Sequence, residues 1–137
     1  MRIKPPLLII CAAILTGCAF DVSHVRQLTT SFTSGSDASK SFTLNQNVKA
    51  TLGTGFATRL KANTRWEQVG RTEYGDVFAT KDQIVTVEAS NIYEAQLVVS
   101  NQFITGFYLI VEKKFAPVNH PIPIETEPII TNPNKPQ

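Results

Sequence analysis

Between about Ser41 and Val118 the chain offers no long apolar run at a 3.6-residue period; it is built from short stretches of Val, Ile, Thr, Phe and Tyr, cut by Gly and Asn. β-Branched and aromatic side chains pack well on a pleated, half-buried surface, so this texture predicts strands. Phe42-Thr43-Leu44 reads as a first short strand, and Val48-Lys49-Ala50-Thr51-Leu52 alternates strictly, with Val48, Ala50 and Leu52 on one face. Gly53 and Gly55 punctuate before Phe56 to Lys61 resumes. Asn63-Thr64 turns the chain into Trp66-Glu67-Gln68-Val69, and Tyr74-Gly75-Asp76 turns it into Val77-Phe78-Ala79. In Ile84-Val85-Thr86-Val87-Glu88 the alternation points Val85 and Val87 inward, Thr86 and Glu88 outward. The best helical candidate is one turn around Ser90 to Glu94. The expectation is an all-β domain over residues 42–118, with six or seven short antiparallel strands in a small SH3-like barrel or a compact sandwich. Trp66 is its expected plug.

The clearest hairpin joins Ala95-Gln96-Leu97-Val98-Val99 to Phe103 through Val111 by way of Ser100-Asn101-Gln102. A three-residue loop sets Val99 opposite Phe103 and Ala95 opposite Phe107, with Leu109 and Val111 continuing that face. A two-residue loop selects Ile104, Gly106, Tyr108 and Ile110 instead, because a one-residue slip exchanges the faces. Both faces of the second strand are apolar. Either the strand is covered on both sides or one face is a binding surface.

The flanks have different textures. Residues 18–41 include the polar run from Thr29 to Ser41, which has few core-forming residues and reads as a flexible tether. Twenty residues of such coil span about 25 Å on average. Val22, Val25, Leu28 and Phe32 have near-helical spacing and offer a competing reading, one short helical turn against the domain. Residues 119–137 read as a Pro-rich tail; the stretch from Ala116 onward holds six of the eight prolines. Repeated proline removes backbone donors and favours extended chain. Ile122-Pro123-Ile124 and Ile129-Ile130-Thr131 are the tail's candidates for docking in a groove or along a sheet edge.

Little in the chain carries catalytic chemistry. The two cysteines are Cys11 and Cys18, and the two histidines, His24 and His120, stand in the flanks. Neither a catalytic triad nor a metal site is expected, and no cofactor. Glu67, Glu73, Asp76, Asp82, Glu88, Glu94 and Glu112 stand in no recognisable motif, though a pair of them is what a carboxylate-dependent hydrolase would need. Gly53-Thr54-Gly55 lacks the third glycine and the helix of a nucleotide fingerprint. The aromatic residues are the remaining feature, since a small barrel cannot bury them all. Tyr74 and Tyr93, each near a turn and a carboxylate, are the expected contact residues; Tyr108 on the two-faced strand and Ile122 and Ile124 in the tail join them.

At the N-terminus, Arg2 and Lys4 precede a nine-residue apolar stretch, Leu7 to Leu15, and then Thr16-Gly17-Cys18. Leu15-Thr16-Gly17-Cys18 resembles the lipobox of bacterial lipoproteins, in which the signal is cut before a cysteine that carries the lipid. Nine apolar residues are too few for a bilayer span, which needs about 20. The resemblance implies that residues 1–17 are a signal peptide and that Cys18 bears acyl chains such as palmitate, two or three of which hold a protein at a membrane. Ala19 and Phe20 follow the cysteine, with Asp21 later, so the resemblance implies the periplasmic face of the outer membrane. Loss of Arg2 and Lys4 would leave 11 Lys+Arg against the 11 Asp+Glu, a formally neutral mature chain and a poor partner for nucleic acid. Cys11 would leave with the signal and Cys18 would be blocked, so the domain would hold no thiol. The expectation is a non-catalytic lipoprotein that binds an envelope protein partner, as an accessory subunit or as an inhibitor or exclusion lipoprotein, with a cell-wall hydrolase as the alternative.

Overall fold

The structure, a computed structural model, describes residues 25–53 and 56–126. The expected lipobox with Cys18, His24, and the pair Ile129 and Ile130 lie outside the described residues. Among the described residues eleven strands follow in order: β1 Leu28–Thr29, β2 Thr33–Ser34, β3 Phe42–Thr43, β4 Val48–Leu52, β5 Phe56–Leu60, β6 Arg65–Thr72, β7 Gly75–Ala79, β8 Thr86–Glu88, β9 Ile92–Ser100, β10 Phe103–Leu109 and β11 Lys114–Pro123. A 3₁₀ turn at Ala38–Lys40 is the single helical element among the described residues. The fold is all-β and antiparallel, as the strand texture predicts.

The main sheet runs β1-β11-β10-β9-β7-β6-β2, with β3 also on β6 and β8 also on β9. It curls into a half-barrel, and β4 and β5 form a small second sheet. One core lies between them: Val48, Ala50, Leu52 and Leu60 from the small sheet share it with Trp66, Phe78, Val87, Leu97, Ile104, Phe107 and Leu109. Trp66 is wholly buried, as the plug should be, and its indole N–H donates to the Thr64 hydroxyl at 2.9 Å. That bond is what lets a polar atom sit in this core. The β5 and β8 neighbours are stitched by side chains: Thr58 Oγ1 donates to the Thr86 carbonyl at 2.9 Å, and the Gln83 amide bonds Lys61 N at 2.8 Å and Arg59 O at 3.0 Å.

The β9–β10 hairpin keeps neither expected register throughout: it starts in that of the two-residue loop, and the pairs Val99–Phe103 and Ala95–Phe107 of the three-residue loop do not form. Phe103 pairs with Ser100, so the turn is the two residues Asn101 and Gln102, whose φ angles of 52° and 66° match a type I′ turn. Then the register shifts at Thr105, and Gly106 pairs with Val98 and Phe107 with Leu97. The bulge turns Ile104, Phe107 and Leu109 all toward the main core, and Tyr108 to the opposite face. Thr105 Oγ1 covers the irregularity, lying 3.3 Å from both the Val98 and the Tyr74 carbonyls.

Three expectations about the flanks and turns are corrected. Ser90 to Glu94 is no helical turn, because Glu88 pairs with Ile92 and β9 begins there. Nor do Leu28 and Phe32 lie on a helix: Leu28 is in β1, paired with Phe115, and Thr33 in β2, paired with Arg71, so this part of the 18–41 segment is extended chain seated on the sheet. The expected boundary at 118/119 falls inside β11, which pairs with β10 as far as Pro123. Ile104 pairs with Ile122 while Gly106 pairs with Pro117, so residues 118–121, Pro121 among them, bulge past one residue of β10, with Pro117 at the edge of the break and Pro123 at the end of the ladder. Proline is tolerated where a ladder is already broken.

Candidate functional site: an aromatic face under an N-terminal strap

Opposite the main core, the sheet carries a second apolar cluster: Val77 of β7, Val98 of β9, Tyr108 of β10 and Phe115 of β11 are buried, with Leu28, Val69 and Tyr74 packed against them. The period-2 alternation that sends Leu97 and Phe107 to one face sends their neighbours Val98 and Tyr108 to the other. Two aromatic stacks organise the cluster. Tyr74, in the β6–β7 turn, lies on Phe115 with ring centroids 4.2 Å apart and planes at 8°. Phe32 lies on Tyr108 at 4.9 Å and 18°.

Residues 25–35 form a strap: Val25 packs, half-buried, against the main core, and the chain from Leu28 onward crosses this face. β1 and β2 are the two ends of the seven-strand order, so the strap joins one edge of the curled sheet to the other. Its pairing is slight: Leu28 with Phe115 and Thr29 with Lys114 at one edge, Thr33 with Arg71 and Ser34 with Gly70 at the other. Gly35 N donates to Val69 O at 3.2 Å. Glu73 latches the middle, its Oε2 accepting from Thr30 Oγ1 at 2.8 Å and from Ser31 N at 3.1 Å. Its own amide first, then the Ser31 amide and the Thr30 hydroxyl, holds the Glu73 carboxyl below the ordinary carboxylate range. Lys114 Nζ donates to Thr29 Oγ1 at 3.2 Å. Gly70 makes the slot: a Cβ there would collide with the Phe32 ring and the Thr33 carbonyl. A glycine inside a strand here marks a close approach.

The expected site residues are therefore divided. Tyr74 and Tyr108 lie on the strapped face, where Tyr108, expected among the contact residues, is only 5% exposed beneath the strap. Burial also pushes its hydroxyl above the usual tyrosine range. Tyr93 pairs with Val87 and packs, half-buried, against the main core, on the other side of the sheet from Tyr74 and Tyr108. Ile122 and Ile124 also pack half-buried against that core, so this part of the tail docks on its own domain. Ile124 N donates to Gln102 O at 2.9 Å, and Thr126 bridges to Leu44. Beside Ile124 lies a cavity of about 440 Å³, with Phe42 and Phe78 on its wall and the Lys40–Asp76 ion pair, 3.0 Å long, at its rim.

A second cavity, of about 430 Å³, was not legible in the sequence. β7 and β8 pair with the same edge of β9, at Val99–Leu97 and at Glu94–Ile92, so residues 80–85 leave the sheet and open a fork above Trp66. Ile84, 83% exposed, stands on its lip. The carboxylates at these places serve the fold: Asp82 accepts from Arg65 N at 2.7 Å, and Asp76 accepts from Lys40 at 3.0 Å and Gln68 at 3.1 Å. Among the described residues no group of three His, Cys, Asp or Glu side chains is placed to hold a metal. Compared with known proteins, the chain matches no family model, no curated protein and no solved structure.

Proposed function

We propose that this chain is a lipid-anchored, non-catalytic binding subunit at the periplasmic face of the outer membrane, accessory to a protein assembly of the envelope. The carrying observation is the order of features at the N-terminus: basic residues, nine apolar residues, then Leu15-Thr16-Gly17-Cys18. Two further observations support a binding role. Asp76 and Asp82, which a two-carboxylate hydrolase could have drawn on, are engaged in bonds that hold the sheet together. The second apolar face, with Tyr74, Tyr108 and Phe115, is moreover covered by the segment that follows the lipobox.

Metabolic labelling with a palmitate analogue, followed by fractionation of the envelope, tests the anchor. The wild-type chain should incorporate label and float with outer-membrane vesicles; Cys18→Ser should do neither and should keep its signal. Label retained by the Cys18→Ser chain, or a wild-type chain that stays unlabelled and freely soluble, would sink the reading.

A further inference from the structure

We infer that residues 25–35 are a displaceable closing strand, and that the face beneath them receives an extended segment of a protein partner bearing an aromatic side chain in the place of Phe32. The claim that a partner arrives from the envelope rests on the function proposed above; the displacement of the strap rests on geometry alone.

The present occupant defines the chemistry of the slot. It enters as extended backbone, paired at Leu28 with Phe115 and at Thr33 with Arg71. It puts one aromatic ring over Gly70 and against Tyr108. Any strand that offers these two things fits, which is the β-addition mode of peptide recognition.

The strap is also lightly held. β1 and β2 are two residues each, whereas β11, which β1 borders, is ten residues long. Its side-chain bonds to Glu73 and Lys114 are exposed, and no residue from Val25 to Ser41 is buried. What it covers is buried without exception at Val77, Val98, Tyr108 and Phe115. Short ladders with exposed hydrogen bonds open locally at low free-energy cost, and apolar area beneath them is what a competitor gains.

Displacement would change reach as well as access. With the strap seated, the six residues from Ala19 to His24 separate Cys18 from Val25, at most about 20 Å of chain. With it released as far as Asp37, the 18 residues from Ala19 to Ser36 are free, about 60 Å. One event thus uncovers the aromatic face and lets the domain move away from its anchor, so partner capture and extension are coupled.

The test uses the full mature chain with Cys18→Ser, to remove acylation and the competing thiol, and adds Thr33→Cys with Arg71→Cys. These two positions are paired across the β2–β6 ladder, and a disulfide there locks the strap. The probe is a fluorescent synthetic peptide of residues 25–35, read by anisotropy. The reduced chain should bind it; oxidation should weaken binding about tenfold or more, because the competent open state is removed. Tyr or Trp at the Phe32 position of the peptide should preserve binding, and Ala or Ile should lose it. Equal binding by the locked and reduced forms would overturn the proposal, as would no binding by either. Concentration-dependent dimers that the peptide dissolves would assign the face to a second copy's strap and overturn the partner assignment. Acylation is not read here, so failure of the anchor and failure of the strap are seen separately.

Discussion

The two faces of one sheet are closed in different ways. On the first, Trp66, Leu97, Ile104, Phe107 and Leu109 are fully buried under a second sheet whose β4 and β5 pair through five residues each. On the second, Val77, Val98, Tyr108 and Phe115 are almost as well buried, but beneath a strap with two residues in each of its strands. Burial is alike; the cover is not. A core sealed by long ladders is removed from water until the whole domain unfolds, whereas a face sealed by a short strap can be uncovered while the rest stays folded. Substitutions that strike the two faces should therefore separate global stability from strap closure.

The largest effect belongs to the first face. Leu97→Asp places an unpaired carboxylate at a site with no solvent exposure, opposite Phe107 in the ladder. The cost of several kcal/mol compares with a total stability of about 5–15 kcal/mol for a domain, so the variant should be unfolded or nearly so at 25 °C. Thermal melting followed by circular dichroism checks it, and an unchanged midpoint would break the assignment of the inner face.

Next comes removal of residues 119–137. It takes away the end of β11, the Ile122 and Ile124 packing and the Asn119 Nδ2 bond to Gly53 O at 2.8 Å. Loss of two half-buried isoleucines and their ladder should cost about 2–4 kcal/mol, a fall of roughly 10–20 °C in melting midpoint for a domain of this size. A midpoint within a few degrees of the parent would return this segment to the status of a dispensable tail.

A smaller effect is expected at Gly70, on the second face. Gly70→Ala brings a Cβ into the Phe32 ring, which can swing away, and close to the Thr33 carbonyl, which can leave only with the strap. Overpacking of this kind costs about 1–3 kcal/mol. Here that cost should appear as strap opening: amides of residues 28–35 should exchange faster while those of β9 and β10 keep their protection. Equal acceleration in both regions would show that the strap and the main core open as one unit and would erase the contrast between the faces.

Much of the first face was legible in the sequence, and little of the second. Val48, Ala50 and Leu52, or Val85 and Val87, announce an inward face by alternation, and the structure buries all five. The hairpin at Asn101-Gln102 was visible, but its bulge was not, since Thr105 differs from any other strand threonine only by what Gly106 and Phe115 require across the ladder. The strap was hidden because its local signal is that of a tether: Ser, Thr and Gly surround Phe32, and strand pairing of two residues leaves no period to read. Its partners are distant in sequence, Glu73 and Tyr108 among them, and one glycine inside β6 was the sole trace of the ring above it. Likewise the prolines of β11 read as a tail, because a bulge that takes Pro121 out of the ladder is a property of the pair β10–β11 and not of either strand.

The smallest effect, and the most selective for the second face, concerns Glu73. Its carboxyl titrates below the ordinary value of 4.5 because its own amide, the Ser31 amide and the Thr30 hydroxyl favour the charged form. A depressed folded value means that the latch contributes fully above the pH at which the free carboxyl ionises and is lost as pH falls through the folded value. Strap opening should therefore increase below about pH 4.5 in the parent, while Glu73→Gln, which keeps an acceptor oxygen but has no charge to lose, should start slightly more open and stay flat through that range. Asp37 titrates in the same window, held low by the Ser39 hydroxyl and then the Ser39 amide, and it caps the 3₁₀ turn downstream of the strap. Asp37→Asn is thus the control, since it should leave the acid opening of residues 28–35 in place. Both groups are fully exposed, so the shift should be small and weakened by salt. Amide exchange of residues 28–35 between pH 3.5 and 6, corrected for the intrinsic rate, measures it; a parent as flat as Glu73→Gln would show that stacking on Tyr108, and not the carboxylate, keeps the strap closed.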